Sequence, residues 1–415
     1  MTTRNATQVY ILMRATFALA HAIMFTTYGL YYVQMLGLNP MQLVLVGTAL
    51  ELTVVLFEVP TGVVADAYSR RLSVRIGVFV LAAAYLMEGA IPWLGVLPFF
   101  AGVVLAEVIR GVGETFLSGA REAWIADEIG PDRMGPLLLQ CAKVDRLMSI
   151  LGIMLSAALA NISLNLPYLA GGLLLGLLAV YLLLAMPEQG FTPQPREQRS
   201  NWQVMSSTFR EGLQAVRGRP ILMALLAISL IAGAASEGLG RLWEAHLLLT
   251  FRLAEASALP PATWFSLIAL AGSLLGIAAA HFARKHLDLS HPRRVTATLL
   301  TSAGLRTGLI LTFALAPAYG WAVGCVLALK ALGAVSGPIY ETWLNQQINS
   351  RTRATVLSMM GQADAVGQSG GGPLVGWVGT RFSLRAALVL AAGLLTPALA
   401  VYGWAHRSTD STEKG

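Results

Sequence analysis

The stretch EAWIADEI at residues 122–129 is repeated, with substitutions, as ETWLNQQI at residues 341–348. The two copies start 219 residues apart, which is about half of the 415-residue chain. Each copy follows a Ser-Gly pair, at residues 118–119 and 336–337, and each closes a long apolar run. A duplicated half embedded in apolar segments predicts two similar helix bundles, as in transporters that move one half against the other.

The composition places most of the chain in lipid. Hydrophobic residues make up 55% of the sequence and charged residues 12%, and the mean hydropathy is +0.63. An ordinary soluble domain carries about 25% charged residues, so a soluble core could not cover this much apolar surface. Inside a bilayer every backbone polar group must be satisfied within its own segment, which favours helices. The lipid bilayer is therefore a predicted partner of the chain.

Twelve apolar runs are long enough to cross a bilayer, for which about 20 residues are needed. They lie near residues 10–32, 43–65, 74–92, 96–118, 138–160, 166–186, 220–250, 262–284, 295–316, 319–344, 355–378 and 383–405. The sequence thus predicts an all-α integral membrane protein with 12 transmembrane helices in two parallel six-helix repeats. The expected parts are an N-terminal bundle at 1–186, a cytoplasmic linker at 187–219, a C-terminal bundle at 220–406 and a cytoplasmic tail at 407–415.

The distribution of basic residues predicts the orientation of these helices. With the N-terminus placed in the cytoplasm, 19 of the 29 Lys and Arg residues fall in inside segments and 3 in outside loops. This bias follows the positive-inside rule and predicts that both termini are cytoplasmic. The net charge of +7 is then a topology signal, and we expect no nucleic-acid partner. The expected location is the cytoplasmic (inner) membrane of a bacterium.

The loop between helices 2 and 3 reads GVVADAYSRR at residues 62–71. Gly62 permits close helix packing, and Asp66 lies at the membrane boundary, where it can pair with Arg70 or Arg71. The loop resembles the Gly-x-x-x-Asp-(Arg/Lys)-x-Gly-(Arg/Lys)-(Arg/Lys) motif of the major facilitator superfamily and departs from it at the sixth and eighth positions. The resemblance implies the fold of that family and a cytoplasmic gate, formed by these four residues, that latches the two halves together. A plain positive-inside turn is the alternative interpretation.

Helix 4 carries three ionisable residues at membrane depth, where such residues are costly and mark functional candidates. Glu107, Arg110 and Glu114 are spaced three and four positions apart, which puts them on one helix face. Arg110 also resembles the family's helix 4 arginine, which is linked to proton coupling, although Gly113-Glu114 stands where the family has Gln-Gly. With Glu51, near the middle of helix 2, these three residues are our proton-coupling candidates. A purely structural Glu-Arg-Glu clamp stays open.

Other polar and aromatic residues at membrane depth are candidates for lining a cavity. A lone buried lysine suits a proton or anion site, and the ionisable pair of helix 7 lies toward the outside, where it could form either an outer gate or part of a central site. The cavity candidates are His21, Tyr28, Tyr32, Glu237, Arg241, Arg306 and Lys330. Asp145 and its repeat counterpart Asp364 lie near the inner boundary, where a salt bridge between helices is favoured over substrate contact.

No motif for ATP hydrolysis, metal binding or nucleophilic catalysis is recognisable in the sequence. We therefore expect no enzyme activity, no cofactor and no metal. The leading interpretation is a secondary active transporter that works by alternating access and most resembles bacterial drug and metabolite efflux members. By analogy it is a monomeric antiporter that couples protons to the export of small amphipathic compounds.

Two alternatives to efflux stay open. Many proton-coupled exporters carry a Gly-rich, Pro-containing motif in helix 5, whereas here the comparable cluster, residues 367–376, lies in helix 11. Uptake, or movement of a lipid-like substrate, is therefore an alternative within the same fold. A non-transporting membrane receptor or scaffold is an alternative of another class, but it would not need so many paired charges at membrane depth.

Overall fold

The computed structural model describes residues 2–192, 216–251, 259–289, 291–348 and 353–413. Within these ranges the chain folds into helices, turns and loops without any strand. The long helices are α1 Thr2–Phe25, α2 Pro40–Ala67, α3 Arg70–Leu94, α4 Phe99–Leu117, α5 Met134–Ile162, α6 Leu166–Ala185, α7 Pro220–Ala245, α8 Pro261–His286, α9 Pro292–Ala314, α10 Tyr319–Gln347, α11 Arg353–Arg381 and α12 Leu384–Glu413. The predicted all-α class with twelve long helices is confirmed. Most of the predicted linker, residues 193–215, lies outside the described residues.

Among the described residues, ten segments are long and apolar enough to cross a membrane. The two long helices outside this set are α4 and α11. Within its 19 residues α4 carries Glu107, Arg110 and Glu114, and α11 is rich in Gly, Ser and Gln and contains Asp364. Polar and charged side chains at membrane depth lower the apolar character of a helix, and they collect where function is located.

Contact clustering divides the chain into two compact units. Unit 1 comprises Met1–Leu38, Ala49–Val204 and Leu259–Ser266, and unit 2 comprises Asn39–Thr48, Met205–Ala258 and Leu267–Gly415. In unit 1, α1 packs on α5 and α6, and α3 packs on α4 and α6. In unit 2, α7 packs on α11 and α12, and α9 packs on α10 and α12. Since every one of these pairs recurs six helices later, the repeat seen in the sequence is also a repeat of packing.

A π-helical turn follows the first helix of each repeat, directly after α7 and, after α1, behind the short helix Tyr28–Leu30. These turns span Tyr31–Met35 after α1 and His246–Thr250 after α7, and their first residues lie 215 positions apart. Tyr31, Tyr32 and His246 are almost fully buried. A π turn adds a residue to the helical turn and is frequent at functional sites. Here it turns three polar aromatic side chains into the interior of their units.

The two copies of the repeated stretch differ in helix continuity at the Ser-Gly pair that precedes each of them. Gly119 has a φ of +67°, so α4 ends at Leu117 and a separate short helix, Ala120–Ile129, begins after it. In the second copy α10 continues through Gly337 to Gln347. Both tryptophans of the repeat are nevertheless only 1% exposed, Trp124 in the short helix and Trp343 in α10. The repeat therefore conserves a buried packing position more closely than it conserves the helix boundary.

Glycines bring α7 and α11 into close backbone contact. A Cβ atom at Gly233 would lie 2.1 Å from the carbonyl oxygen of Asp364, and one at Gly367 would lie 2.2 Å from the carbonyl oxygen of Leu230. A Cβ atom at Gly371 would similarly lie 2.3 Å from the carbonyl oxygen of Ala234. Small residues allow helix backbones to approach in membranes, so part of the glycine-rich cluster of α11 serves packing against α7.

Candidate functional site

The loop at residues 62–71 is built around the start of α3. Ser69 caps that helix, because its hydroxyl accepts a hydrogen bond of 2.9 Å from the Leu72 amide. The Ser69 hydroxyl also donates to Glu188 at 2.7 Å. The close packing expected at Gly62 is not observed: a Cβ atom there would meet no described atom within 4 Å. Gly62 is therefore not required by its neighbours within unit 1.

The two arginines of this loop are tied to other parts of unit 1. The Asp66 carboxylate is 61% exposed and lies 3.7 Å from the Arg70 guanidinium. Arg70 is held more closely by Asp127 of the short helix, at 2.5 Å. Arg71 pairs at 3.6 Å with Glu188, which follows α6. The loop thus fastens α3 to the short helix and to the end of the six-helix repeat, and Asp66 is its most accessible charge.

The three ionisable residues of α4 form one ion-paired group, as their spacing predicts. Arg110 donates to Glu107 at 3.0 Å and to Glu114 at 2.8 Å. Glu107 is fully buried, the Arg110 side chain is 12% exposed and the Glu114 side chain is 36% exposed. The Arg110 guanidinium also lies 4.8 Å from the ring centroid of Phe25 and 5.7 Å from that of Tyr85. Two carboxylates and two aromatic faces therefore stabilise a single cation.

A third carboxylate, from α3, joins this group through a tyrosine. Glu88 is fully buried, and the Tyr32 hydroxyl donates to its side chain. The same hydroxyl lies 3.3 Å from Glu107 and accepts a hydrogen bond of 3.3 Å from Tyr168 of α6. Tyr31 donates at 2.7 Å to the main-chain oxygen of Glu88. We refer to Tyr32, Glu88, Glu107, Arg110 and Glu114 as the α4 cluster.

His21 and Tyr28, two further candidates, lie beside the α4 cluster. The His21 ring contacts Phe25 edge to face at 5.4 Å and Tyr85 at 6.3 Å. Among the described residues its Nε2 atom has no hydrogen-bond partner. The Tyr28 ring contacts Phe25 at 6.1 Å and Tyr32 at 5.9 Å. The structure therefore unites six of the sequence candidates in unit 1.

Unit 2 contains two cavities that share one arginine. The larger, of about 640 Å³, is lined by Arg306, Tyr340 and Asp364 among others. The smaller, of about 270 Å³, is lined by Arg306, Lys330, Trp243 and several apolar side chains. The Lys330 ammonium lies 5.5 Å from the Trp243 ring centroid. Arg306 and Lys330 are exposed despite their mid-helix positions in α9 and α10, as expected of side chains that face a cavity.

Comparison with known proteins matches this architecture to one family. The model of the Major Facilitator Superfamily matches residues 10–371, which is most of the chain. The chain belongs to the major facilitator superfamily. A relative from Bacillus subtilis (strain 168), named as the uncharacterized MFS-type transporter YxaM, is 23% identical over 385 residues, with 90% of each chain covered.

Solved structures of other transporters share the fold of this superfamily member. The nucleoside transporter NupG superposes with a TM-score of 0.74 at 14% identity, over 97% of this chain and 99% of the other. A bacterial homolog of the human lysosomal transporter Spinster, in an inward-facing and unoccupied conformation, gives a TM-score of 0.73 at 14% identity, over 99% and 98% of the two chains. Membership of this family makes the protein a membrane transporter and not an enzyme.

The remaining candidates of this superfamily member lie on α7 and on α2. Glu237 and Arg241 form an ion pair of 2.9 Å within α7. A Cβ atom at Gly47, in the part of α2 that belongs to unit 2, would lie 1.5 Å from a Glu237 carboxylate oxygen, so this carboxylate occupies the space that a larger residue would fill. Glu51 lies half-buried on α2. Unit 1 thus contains the acidic α4 cluster, and in unit 2 Arg306 and Lys330 line the smaller cavity.

Sequence patterns assign no role to Glu88, Tyr168, Phe25 or Tyr85. Several of their contacts join residues of different helices, as in the hydrogen bond between Tyr32 and Glu88, which are 56 positions apart in the sequence. The periodicity of a single helix cannot predict such pairs. One signal was present: Glu88 is the acidic residue in the apolar part of α3 that follows Arg75, and such residues are functional candidates.

Proposed function

We propose that this transporter is a proton-coupled secondary transporter that exports small amphipathic compounds by alternating access. The α4 cluster is the proposed proton site, and the observation that carries the proposal is the position of the Tyr32 hydroxyl between two buried carboxylates. Family membership supports transport, and the repeated packing of units 1 and 2 supports alternating access. The resemblance to bacterial efflux members supports export.

The hydrogen count around the Tyr32 hydroxyl argues for a bound proton. A phenol has one hydrogen to donate and can accept others. Its oxygen lies near Glu88, Glu107 and Tyr168. If the carboxylates of Glu88 and Glu107 are both ionised, the Tyr32 hydroxyl can donate its single hydrogen to only one of them. The other carboxylate then has an oxygen lone pair facing the phenol oxygen, with no hydrogen between them. A proton on Glu107 or Glu88 supplies the missing hydrogen and completes the network.

The charge balance of the α4 cluster points the same way. The cluster holds three carboxylates and one guanidinium, and two of the carboxylates, those of Glu88 and Glu107, are fully buried. Burying excess charge in a medium of low dielectric constant is costly, so the closed cluster favours taking up a proton. When water enters during the transport cycle, this cost falls and the proton can leave. Such a site couples proton movement to the change of conformation.

The gate and topology predictions complete the proposal. Asp66, Arg70 and Arg71, with Gly62, form the proposed cytoplasmic latch, which the accessibility of the Asp66 carboxylate supports. The bias of basic residues supports an orientation with both termini cytoplasmic in the inner membrane of a bacterium. The proposed functional form is a monomer that binds a small-molecule substrate and protons.

The experiment uses everted membrane vesicles that hold a preformed pH gradient. A candidate substrate from a broad panel should collapse the gradient in vesicles with the wild-type protein, and Glu107→Gln should abolish this effect while the protein still inserts. Glu122→Gln is the matched control, because Glu122 is a half-exposed carboxylate of the short helix. Absence of proton movement with every compound, together with uptake by whole cells, would overturn proton-coupled export and favour uptake. Binding without flux in proteoliposomes would instead indicate a receptor.

A further inference from the structure

The two cations that line the cavities described for unit 2 form no ion pair with another described residue. Among the described residues, neither Arg306 nor Lys330 forms a salt bridge, and Arg306 makes no hydrogen bond with another side chain. The carboxylates that act on them electrostatically without forming a salt bridge are Asp364 for Arg306 and Glu244 for Lys330. Cations at membrane depth are costly and are retained where they have a use. These two share the smaller cavity, so the use is to be sought there.

The walls of the smaller cavity are suited to an amphipathic molecule. The aromatic rings of Trp243 and Phe313 line it, together with leucine and valine side chains. Arg306 and Lys330 are its charged lining residues, and no acidic residue is among the described residues that line it. Small-molecule sites combine mostly apolar walls with a few placed polar groups. The charge that this cavity complements is negative.

We propose that the smaller cavity binds the acidic group of an amphipathic organic anion between Arg306 and Lys330. The planar guanidinium of Arg306 can bind a carboxylate or sulfonate through two parallel hydrogen bonds, and the Lys330 ammonium adds a point charge. The apolar part of the anion packs against Trp243 and Phe313. This assignment rests on the proposed transport function and adds the charge class of the substrate.

The larger cavity sets a limit on the number of charges that the substrate carries. Arg306 opens into it, but Asp364 and Glu341 also line it. Gln368 donates to the Asp364 side chain at 2.7 Å, which keeps that carboxylate in place. A second acidic group that extends from Arg306 into the larger cavity would meet these two carboxylates. The site therefore favours a monoanion over a dianion of similar size.

The test is equilibrium binding to the purified full-length protein in nanodiscs, measured by calorimetry with three naphthalene probes of similar size. The probes are 2-naphthoate, which is an anion, 2-naphthylmethylammonium, which is a cation, and 2-naphthylmethanol, which is neutral. The anion should bind at least about tenfold more tightly than the other two, because a hydrogen bond to a charged group is worth that much or more. The dianion naphthalene-2,6-dicarboxylate should bind more weakly than 2-naphthoate.

Substitution of the cations tests their role in recognition. Arg306→Gln should weaken 2-naphthoate binding roughly 10- to 100-fold, Lys330→Gln should weaken it less, and Arg306→Lys should retain part of the affinity. Lys285→Gln, which changes an exposed lysine at the end of α8, is the matched control and should bind as the wild type does. Unchanged thermal stability of the Arg306 variants would show that the loss of affinity is not a loss of fold.

A filling substitution tests the location independently of charge. Gly333 lines the smaller cavity, and a Cβ atom there meets nothing within 4 Å. Gly333→Val should therefore fold and abolish 2-naphthoate binding. Gly393→Val, at an exposed glycine of α12 with equally open surroundings, should bind normally.

Two results would overturn the proposal: equal or tighter binding of the ammonium or the alcohol probe, or 2-naphthoate affinity that is unchanged in Arg306→Gln and Lys330→Gln. The outcome is separable from that of proton coupling. Arg306-dependent binding of 2-naphthoate without any proton movement in vesicles would contradict the proton site alone, and proton movement without preference for the anion would contradict the anion site alone.

Discussion

The α4 cluster of unit 1 and the smaller cavity of unit 2 differ in how their charged side chains are paired. In the α4 cluster one guanidinium is paired with two carboxylates, and a tyrosine joins a third. In the cavity two cations stand among apolar walls without an ion pair to any described residue. The packing of the two repeats is the same, so the duplication preserved the frame while the ionisable residues diverged. The difference suggests a division of labour: unit 1 holds a proton and unit 2 holds the substrate.

A similar contrast separates two aspartates that occupy matching positions. Asp145 of α5 pairs with Arg14 of α1, as the sequence predicts for a salt bridge between helices. Its counterpart Asp364 of α11 faces a cavity and forms no salt bridge with a described residue. The facing helix α7 carries Gly233 against the Asp364 backbone. Asp145 thus faces Arg14 and forms a structural ion pair. Asp364 faces Gly233, which carries no charge, and lines a cavity.

The largest expected effect comes from removing the central cation of each region. Arg110→Met leaves the fully buried Glu107 without its ion-pair partner and should lower the free energy of unfolding by about 3–5 kcal/mol. Arg306→Met breaks no ion pair with a described residue and should change it by less than about 1 kcal/mol. Thermal unfolding in detergent measures both. Equal destabilisation by the two substitutions would remove the distinction between paired and unpaired cations.

The next largest effect is expected at the close backbone contact between α7 and α11. Gly233→Val should destabilise the protein by roughly 1–3 kcal/mol, because the new side chain meets the backbone of α11 and overpacks the contact. Gly370→Val, on α11 where a Cβ atom has open surroundings, is the control and should have a small effect. Thermal unfolding curves in detergent measure the stability of the two variants. A harmless Gly233→Val would mean that α7 and α11 do not pack through glycine.

The hydroxyl groups of the α4 cluster should rank by their distance from the proposed proton. Tyr32→Phe removes the bridge between Glu88 and Glu107 and should lower proton-driven transport about tenfold, which corresponds to about 1.4 kcal/mol. Tyr168→Phe removes only a donor to Tyr32 and should have a weaker effect. Initial rates in proteoliposomes with an imposed pH gradient give the order. The reverse order would place the proton elsewhere.

The smallest effect is expected at the matched aspartates. Asp145→Asn breaks the partly exposed pair with Arg14 and should cost about 0.5–1 kcal/mol of stability. Asp364→Asn breaks no salt bridge with a described residue and should leave stability closer to that of the wild type. It should also relax the discrimination against naphthalene-2,6-dicarboxylate, since one of the two repelling carboxylates is lost. Calorimetric binding of that probe to both variants checks this part.

Much of the fold follows from local patterns in the sequence. The apolar runs predict the long helices, and the spacing of Glu107, Arg110 and Glu114 predicts their common face, because both signals repeat within one helix. The repeat of Trp124 as Trp343 predicts two matching packing positions. The separate short helix Ala120–Ile129 is harder to predict, since in the second repeat α10 continues through the same Ser-Gly pair.

The α4 cluster is only partly predictable because its remaining members meet across helices. Glu88 reaches Glu107 through Tyr32, and each of the three comes from a different segment of unit 1. Such contacts depend on the rotation of each helix about its axis, which hydropathy does not determine. The inclusion of Tyr32 in a π turn shifts this rotation further. Likewise, only the structure shows that Arg306 and Lys330 share a cavity.

Two transport assays in proteoliposomes test this division of labour most directly. One measures the exchange of labelled 2-naphthoate, and the other measures its net transport driven by a pH gradient. Both are carried out on Glu107→Gln and Arg306→Gln. Exchange needs the substrate site, whereas gradient-driven transport also needs the proton site. The account predicts that Glu107→Gln retains exchange and loses gradient-driven transport, and that Arg306→Gln loses both. Loss of exchange in Glu107→Gln, or retention of both activities in Arg306→Gln, would contradict it.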